Sequence, residues 1–432
     1  MQLEAALILV LLFFALLALN VPIAVCIGGA SVGAVLIMMP FDVTVFTAAQ
    51  KMVASLDSFA LLAVPFFILS GVMMNSGGIA QRLVNFAKAV AGGVPGSISQ
   101  TNVVGNMLFG CVSGSAIAAS TAIGGTMIPF AVKEGYDRNV AAAANIASAP
   151  TGMLIPPTTS FIIYATVAGG ASISAMFIGG AIAGTLWGLG CMAVVWIVAS
   201  RRGYPHPAHC SLPVMWRTFV EALPSLLLIL LIVGGITAGI FTAIEASAIS
   251  VLYTLILTLL VYRSLDARSL VQAVVQTFLI TSAVMFLLAA SAAMSFAMAF
   301  TGIPALISEL ILGLTTDKIA VLMIINLLLL VVGMFFDIGP AILIFTPILL
   351  PLAVKVGVSP AHFGVILIYN LCIGTITPPV GTGLFVGAGI AKIPVGEAVK
   401  ALWPHYLMII AVLMLITYVP AITMGIPKML GL

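Results

Sequence analysis

Residues 113–160 recur at 335–382, aligned without a gap at a constant offset of 222. Pro129 falls on Pro351, and Ala131-Val132-Lys133 falls on Ala353-Val354-Lys355. Gly135 falls on Gly357, Gly152 on Gly374, and Pro156-Pro157 on Pro378-Pro379. Each copy has a turn inside an apolar run, at Ser113-Gly114-Ser115 and at Asp337-Ile338-Gly339. A short polar connection follows (Lys133 to Arg138, Lys355 to Pro360), then an apolar segment broken by Gly and Pro-Pro. A fixed offset across so many backbone-breaking residues marks an internal duplication. Interrupted apolar segments at corresponding places in two halves point to a transporter's binding site.

The apolar runs decide the solvent. Of 432 residues, 62% are hydrophobic and 6% charged, with mean hydropathy +1.30, against about 25% charged in soluble domains. Segments of roughly 20 apolar residues read as membrane-spanning helices, not the alternating strands of a barrel. The expected fold is therefore an all-α polytopic membrane protein with two inverted-topology repeats, each carrying a re-entrant hairpin and a broken helix. The net charge of +3 forms no basic tract, which argues against nucleic acid. Five cysteines show no metal-type spacing; Cys26, Cys111, Cys191 and Cys372 lie in apolar segments and read as small core residues, whereas Cys210 lies in a polar loop. No charged stretch precedes the apolar residues 5–19, so no cleavable leader is expected.

The expected order begins with scaffold helices in 1–57, at 3–19 and 23–39, joined at Asn20-Val21-Pro22 and followed by a polar-spotted connection from Asp42 to Asp57. The first repeat, 58–200, holds a span at 58–75 and an amphipathic segment at 79–91, either an interfacial helix or a solvated connector. A hairpin at about 97–132, a broken helix at 139–168 and a return span at 171–199 follow. The alternative for 97–132 is one long helix whose small residues serve packing. A connection at 201–219 leads to scaffold helices within 220–268. The second repeat, 269–425, contains a connector at 303–314, a hairpin at about 318–353, a broken helix at 361–390 and a last helix at 403–425.

Counting crossings places Arg82, Lys88, Lys133, Arg138, Arg201, Arg202, Arg217, Arg263, Arg268, Lys392 and Lys400 on one face. Lys51, Lys318, Lys355 and Lys428 fall on the other. Positive-inside asymmetry makes the richer face cytoplasmic. The first hairpin then opens to the cytoplasm, the second to the outside, and the amino terminus lies outside.

Broken-helix N-termini offer amides to a carboxylate, while helix C-termini and unwound carbonyls suit a cation. Ser113, Ser115, Thr151, Thr158 and Thr159 supply oxygens in the first copy; Asp337, Thr375, Thr377 and Thr382 do so in the second. Each hydroxyl taken alone also fits a helix-packing role. Asp337 in an apolar stretch is a functional candidate by default, with a structural cap or a proton carrier as alternatives. Glu245 fits a helix cap. His206, His209, His362 and His405 show no metal-binding pairing, and no catalytic constellation assembles at membrane depth.

These residues resemble the large membrane subunit of tripartite ATP-independent periplasmic (TRAP) transporters. The likeness rests on Asp57-Ser58-Phe59 through Val64-Pro65-Phe66-Phe67-Ile68-Leu69-Ser70-Gly71 and on Ser113-Gly114-Ser115. It continues in Ala149-Pro150-Thr151-Gly152 through Ile155-Pro156-Pro157, and in Gly239-Ile240-Phe241-Thr242 to Glu245-Ala246. Gly333-Met334-Phe335 with Asp337, and Thr377-Pro378-Pro379-Val380-Gly381, complete it. The resemblance implies an elevator-type secondary transporter in the bacterial inner membrane, taking up a carboxylate-containing organic acid with sodium ions. It implies a small four-helix membrane subunit, expected as a separate chain, and a periplasmic substrate-binding protein. One sodium site would draw on Ser113, Ser115, Gly152 and Ile155, the other on Gly333, Asp337, Gly374 and Thr377. Ser115, Thr151, Pro157, Thr158 and Pro379 would face substrate. Cys111 stands near the first tip where the family pattern leads one to expect glycine.

Overall fold

The computed structural model describes residues 2–19, 21–76, 79–204 and 211–432. Asn20, Gly77, Gly78, His206, His209 and Cys210 lie outside the described residues. Among the described residues the chain is helical throughout, with no strand.

Helices α1 (Gln2–Ala18) and α2 (Ile23–Val35) open the chain, followed by α3 (Phe41–Leu56) and α4 (Ala63–Ser76). The stretch expected as a connection is thus helix α3. Pro40 starts it and no Gly or Pro interrupts it until a 62° bend into α4. Helix α5 (Ile79–Ala91) matches the amphipathic segment and packs on the first hairpin. That hairpin is α6 (Ser97–Ser113), then α7 (Ala116–Ala119), which runs through a π turn into α8 (Gly125–Lys133). The single-helix alternative fails at Gly114, which is left-handed at φ 63° and ends α6. The broken element is α9 (Arg138–Ser148), a 3-10 turn at Ala149–Met153, and α10 (Thr159–Val167).

Helix α11 (Ile173–Arg202) is about 45 Å long. Helix α12 (Leu212–Thr237) takes up the end of the expected loop 201–219, because Pro213 sits in its first turn, where proline is favoured. Helix α13 (Ala243–Ile256) starts on a capping box: Thr242 N–H donates to Glu245 Oε2 at 2.8 Å, and Glu245 N–H donates to Thr242 Oγ1 at 3.3 Å. This is the structural role expected of Glu245. Helix α14 (Ala267–Thr301) is about 52 Å long and packs on α1, α2, α3, α4 and α17. Then come α15 (Ile303–Leu314), the second hairpin α16 (Lys318–Phe335) and α17 (Ile338–Lys355), the second broken element α18 (Pro360–Gly374) and α19 (Thr382–Ala391), and α20 (Val395–Tyr418) with α21 (Pro420–Met429). The last helix begins at Val395, after Pro394, instead of residue 403, and Pro420 splits it before 425.

The duplication governs where helices start and stop. Ser113 and Phe335 end first hairpin arms, and Lys133 and Lys355 end second arms. Arg138 and Pro360 begin broken elements, and Ile173 and Val395 begin return helices; each pair is 222 apart. Both Pro-Pro bonds are cis. In each copy a buried amide fastens hairpin to broken element. Asn106 Nδ2 donates to Asn145 Oδ1 at 3.0 Å and to Ser148 Oγ at 2.8 Å. Asn370 Nδ2, at the position equivalent to Ser148, donates to Asn326 Oδ1 at 2.9 Å. Trp187 Nε1 donates to the Ala147 carbonyl at 2.7 Å, and Tyr369 O–H donates to that of Ile409 at 3.3 Å. Positions 147 and 369 correspond, as do 187 and 409, so the same pair is bonded in both copies with donor and acceptor exchanged.

A buried acceptor that loses its donor costs about 1–3 kcal/mol. Asn106→Ala is therefore expected to lower the thermal midpoint of the purified protein, while Gln81→Ala, at an exposed position of α5, leaves it unchanged. Equal midpoints would remove the structural role given to the Asn106 bonds.

Among the described residues eight helices are long and apolar enough to cross a membrane, or nine when α3 and α4 count as one bent span. Leu230, Leu260 and Phe278 are 67–71% exposed on such helices, an arrangement suited to hydrocarbon or a neighbouring subunit.

Candidate substrate and ion site

At the first tip the Gly114 N–H donates to the Gly110 carbonyl at 2.7 Å, a left-handed glycine stop of the usual kind. Ser115 is extended and caps the next helix, accepting from the Ala118 N–H at 3.3 Å. The Ser113 hydroxyl lies 3.4 Å from the carbonyls of both Gly110 and Ser115. Helix α9 unwinds behind this tip. There Gly152 touches Gly110 backbone to backbone: a methyl added at Gly152 would sit 2.2 Å from Gly110 Cα. The glycine that lets the broken element approach is thus Gly110, in the last turn of α6 and one residue before Cys111, which is buried with its thiol on the Leu108 carbonyl. From Gly152 to Pro157, Ile155 included, no carbonyl accepts a hydrogen bond from a described residue.

The second tip repeats the plan. A methyl added at Gly374 would sit 2.2 Å from the Gly333 carbonyl carbon. The Gly333 carbonyl, and those from Thr377 to Pro379, accept no hydrogen bond from a described residue. Asp337 occupies the position of Ser115 (115 and 337 are 222 apart) and likewise begins a helix. Its carboxylate makes no capping bond and is exposed, with no partner among the described residues. Thr377 donates to the Ile373 carbonyl at 2.7 Å, and Tyr406 O–H holds the Ile376 carbonyl at 2.5 Å. Two breaks therefore present oxygen donors, neutral around Gly152 and anionic around Asp337. Among the described residues no group of three or more His, Cys, Asp or Glu forms a metal cluster.

A 310 Å³ cavity lies at the first tip, and Ser113, Ser115, Pro157 and Thr159 line it. Thr151 and Thr158 are buried. The Thr151 hydroxyl donates to the Ser148 carbonyl at 2.6 Å, and Thr158 Oγ1 accepts from the Ser160 N–H at 3.2 Å. Gly333 and Gly374 touch at the second tip, and none of Gly333, Asp337, Gly374, Thr377 and Pro379 lines this cavity. The opposite wall carries Ser70 and Asn75 of α4 and Gln276 of α14. The sequence offered only a weak signal for Asn75 and Gln276: each is a lone amide in an apolar helix, outside the aligned repeat.

Paired hairpins meeting paired broken helices in a bundle of membrane-length helices define a multi-pass membrane transporter. Residues 10–422 match the family "Tripartite ATP-independent periplasmic transporter, DctM component". The chain is 45% identical to the uncharacterized protein YgiK of Salmonella typhimurium, covering 96% of each. It is 39% identical to the isethionate TRAP transporter permease protein DctMQ of Oleidesulfovibrio alaskensis, over 95% of this chain and 65% of that one. With the C4-dicarboxylate TRAP transporter large permease protein DctM of Rhodobacter capsulatus it shares 34% identity, over 99% of this chain and 100% of that one. In structure it is similar to the YdaH transporter of Alcanivorax borkumensis (TM-score 0.60, 14% identity, 85% and 86% of the two chains), a likeness of fold. The chain belongs to the large-permease family of TRAP transporters, multi-pass proteins of the bacterial inner membrane.

Proposed function

We propose that this chain is the large permease of a sodium-coupled TRAP transporter that takes up a small carboxylate-bearing organic acid by an elevator movement. A periplasmic binding protein delivers the acid, and a small four-helix membrane subunit flanks the outer helices. The observation that carries the reading is the pair of glycine-on-glycine contacts, Gly110 with Gly152 and Gly333 with Gly374. They seat each hairpin tip at the middle of a broken element, where carbonyls are left unpaired. Sodium, a co-substrate, is assigned to Ser113, Ser115, Gly152 and Ile155, and to Gly333, Asp337, Gly374 and Thr377. Hydroxyl, carbonyl and carboxylate oxygens suit a hard cation. The acid's carboxylate is assigned to the cavity of Ser115 and Pro157, backed by Thr151 and Thr158; Pro379 does not line that cavity and is assigned to the substrate by its equivalence to Pro157, 222 residues earlier.

Inverted placement of the repeats has geometric support. The first hairpin's mouth lies at the C-terminal end of α11: Gly96 faces Val195 and Ala199, and Asp137 pairs with Arg202 at 2.8 Å. The second mouth, at Lys318 and Gly357, shares a cavity with Met424 and Lys428. Met424 in turn packs on Gly179, near the N-terminal end of α11. The mouths thus face opposite ends of one 30-residue helix.

The test is uptake of radiolabelled succinate, with isethionate as a second probe, into vesicles holding this chain and its small subunit. Accumulation is expected only with both an inward sodium gradient and the binding protein. Accumulation without the gradient, or conductance without accumulation, would contradict the proposal.

A further inference from the structure

A second cavity, of 510 Å³, lies between α3 and α14 on one side and α10 and α17 on the other. Its polar lining is Lys51, Ser55, Ser58, Thr166, Ser291 and Ser295, and among the described residues no carboxylate lines it. Lys51 has no carboxylate partner among the described residues; its Nζ lies 5.6 Å from the centre of the Phe296 ring. Ser291 is 4% exposed, and its hydroxyl has no hydrogen-bond partner among the described residues. Ser55 and Thr166 already donate their protons to carbonyls of their own helices at 2.8 and 2.9 Å, so the hydroxyls with a proton to offer an anion are those of Ser58, Ser291 and Ser295. A half-enclosed space with one cation and three hydroxyls free to donate, one of them buried, attracts an oxyanion.

The cavity is continuous in its walls with the hairpin-tip site. Helix α14 lines the tip cavity through Gln276, Ile280 and Val284 and this one from Leu288 onward, one turn later. Helix α10 lines the tip cavity at Thr159, beside Pro157, and this one at Thr166 and Val167. Opposite ends of the same two helices therefore wall both spaces, and the loop charges place Lys51 toward the outside.

We propose that Lys51 and the surrounding hydroxyls form an outer docking site where the substrate's carboxylate binds before it reaches the hairpin tip. The role on the transport route rests on the proposed uptake function; the anion site itself does not. A thiol reporter separates the two. In a variant lacking native cysteines, Ser295→Cys is placed in phosphatidylcholine vesicles. It is then reacted with an anionic sulfonatoethyl and a cationic trimethylammonioethyl thiosulfonate. The anionic-to-cationic rate ratio is expected to fall about tenfold when Lys51→Gln is added and to recover with Lys51→Arg. A ratio indifferent to Lys51 overturns the site. Loss of labelling when phosphatidylglycerol is included assigns the space to a lipid phosphate and also overturns it. In reconstituted uptake, Lys51→Gln is expected to raise KM about tenfold, acting on KM more than on the maximal rate. An unchanged KM beside a changed labelling ratio would remove the site from the route, while absence of any uptake in the parent protein would count against the transport reading alone.

Discussion

Replacing Asp337 by asparagine is expected to leave insertion and stability intact and to weaken sodium-driven uptake about a hundredfold. Asparagine preserves the size and polarity of the residue at the start of α17. It removes the negative charge, and no other carboxylate is placed among the second set of oxygen donors. At a separation of ~4 Å and an effective dielectric near 20, a unit charge pair is worth about 4 kcal/mol. Exposure of the carboxylate reduces this, which leaves roughly two decades in sodium affinity at that site. The measurement is the sodium concentration that gives half-maximal uptake, with membrane yield as control. A half-saturation within twofold of the parent would mean that Asp337 holds no cation. The structure also removes one competing role: the Asp337 side chain does not cap its helix.

Gly374→Ala and Gly152→Ala are expected to destabilise the protein by about 3 kcal/mol or more, the upper end for overpacking. The added carbon at either position would meet backbone at 2.2 Å, and no side chain is available to swing aside. Relief requires the hairpin tip to back away from the broken helix, which spreads the oxygen donors, so any folded fraction should also bind sodium poorly. Gly125→Ala is the matched control. It lies on the first hairpin at helical φ −58°, with open space around it, and is expected to be neutral or slightly stabilising. Thermal unfolding in detergent compares the three. A Gly374→Ala midpoint equal to that of Gly125→Ala would show that the contact is not tight in the working protein.

Much of this architecture is legible in the residues because Gly and Pro act through the backbone. A left-handed stop at Gly114 and the unwinding before each Pro-Pro need no tertiary information. The 222-residue offset therefore reappears in helix ends at Lys133 and Lys355 and at Ile173 and Val395. Sequence and structure part where polar composition suggests irregular backbone. Residues 42–56 carry Asp42, Gln50, Lys51 and Ser55, yet lie in α3 because nothing breaks the backbone; two of them, Lys51 and Ser55, then line a cavity. Pro213 and Pro394 mark helix starts, as proline at or before a first turn often does, and the polar or aromatic residues after them hid the signal. The partners of the first tip were out of reach for a different reason. Which face of α14 turns Gln276 toward Ser115 depends on how separate helices pack, and an apolar helix in lipid shows little contrast between its faces.

The central claim is that two copies of one unit lie upside down to each other, with their unwound backbones brought to the same depth. Single cysteines at the two hairpin mouths test it most directly. Glu134→Cys and Lys355→Cys, each in a background without native cysteines, are exposed to a membrane-impermeant maleimide in spheroplasts and in inside-out vesicles. The account predicts labelling of Lys355→Cys only in spheroplasts and of Glu134→Cys only in inside-out vesicles. Labelling of both from the same side would contradict it.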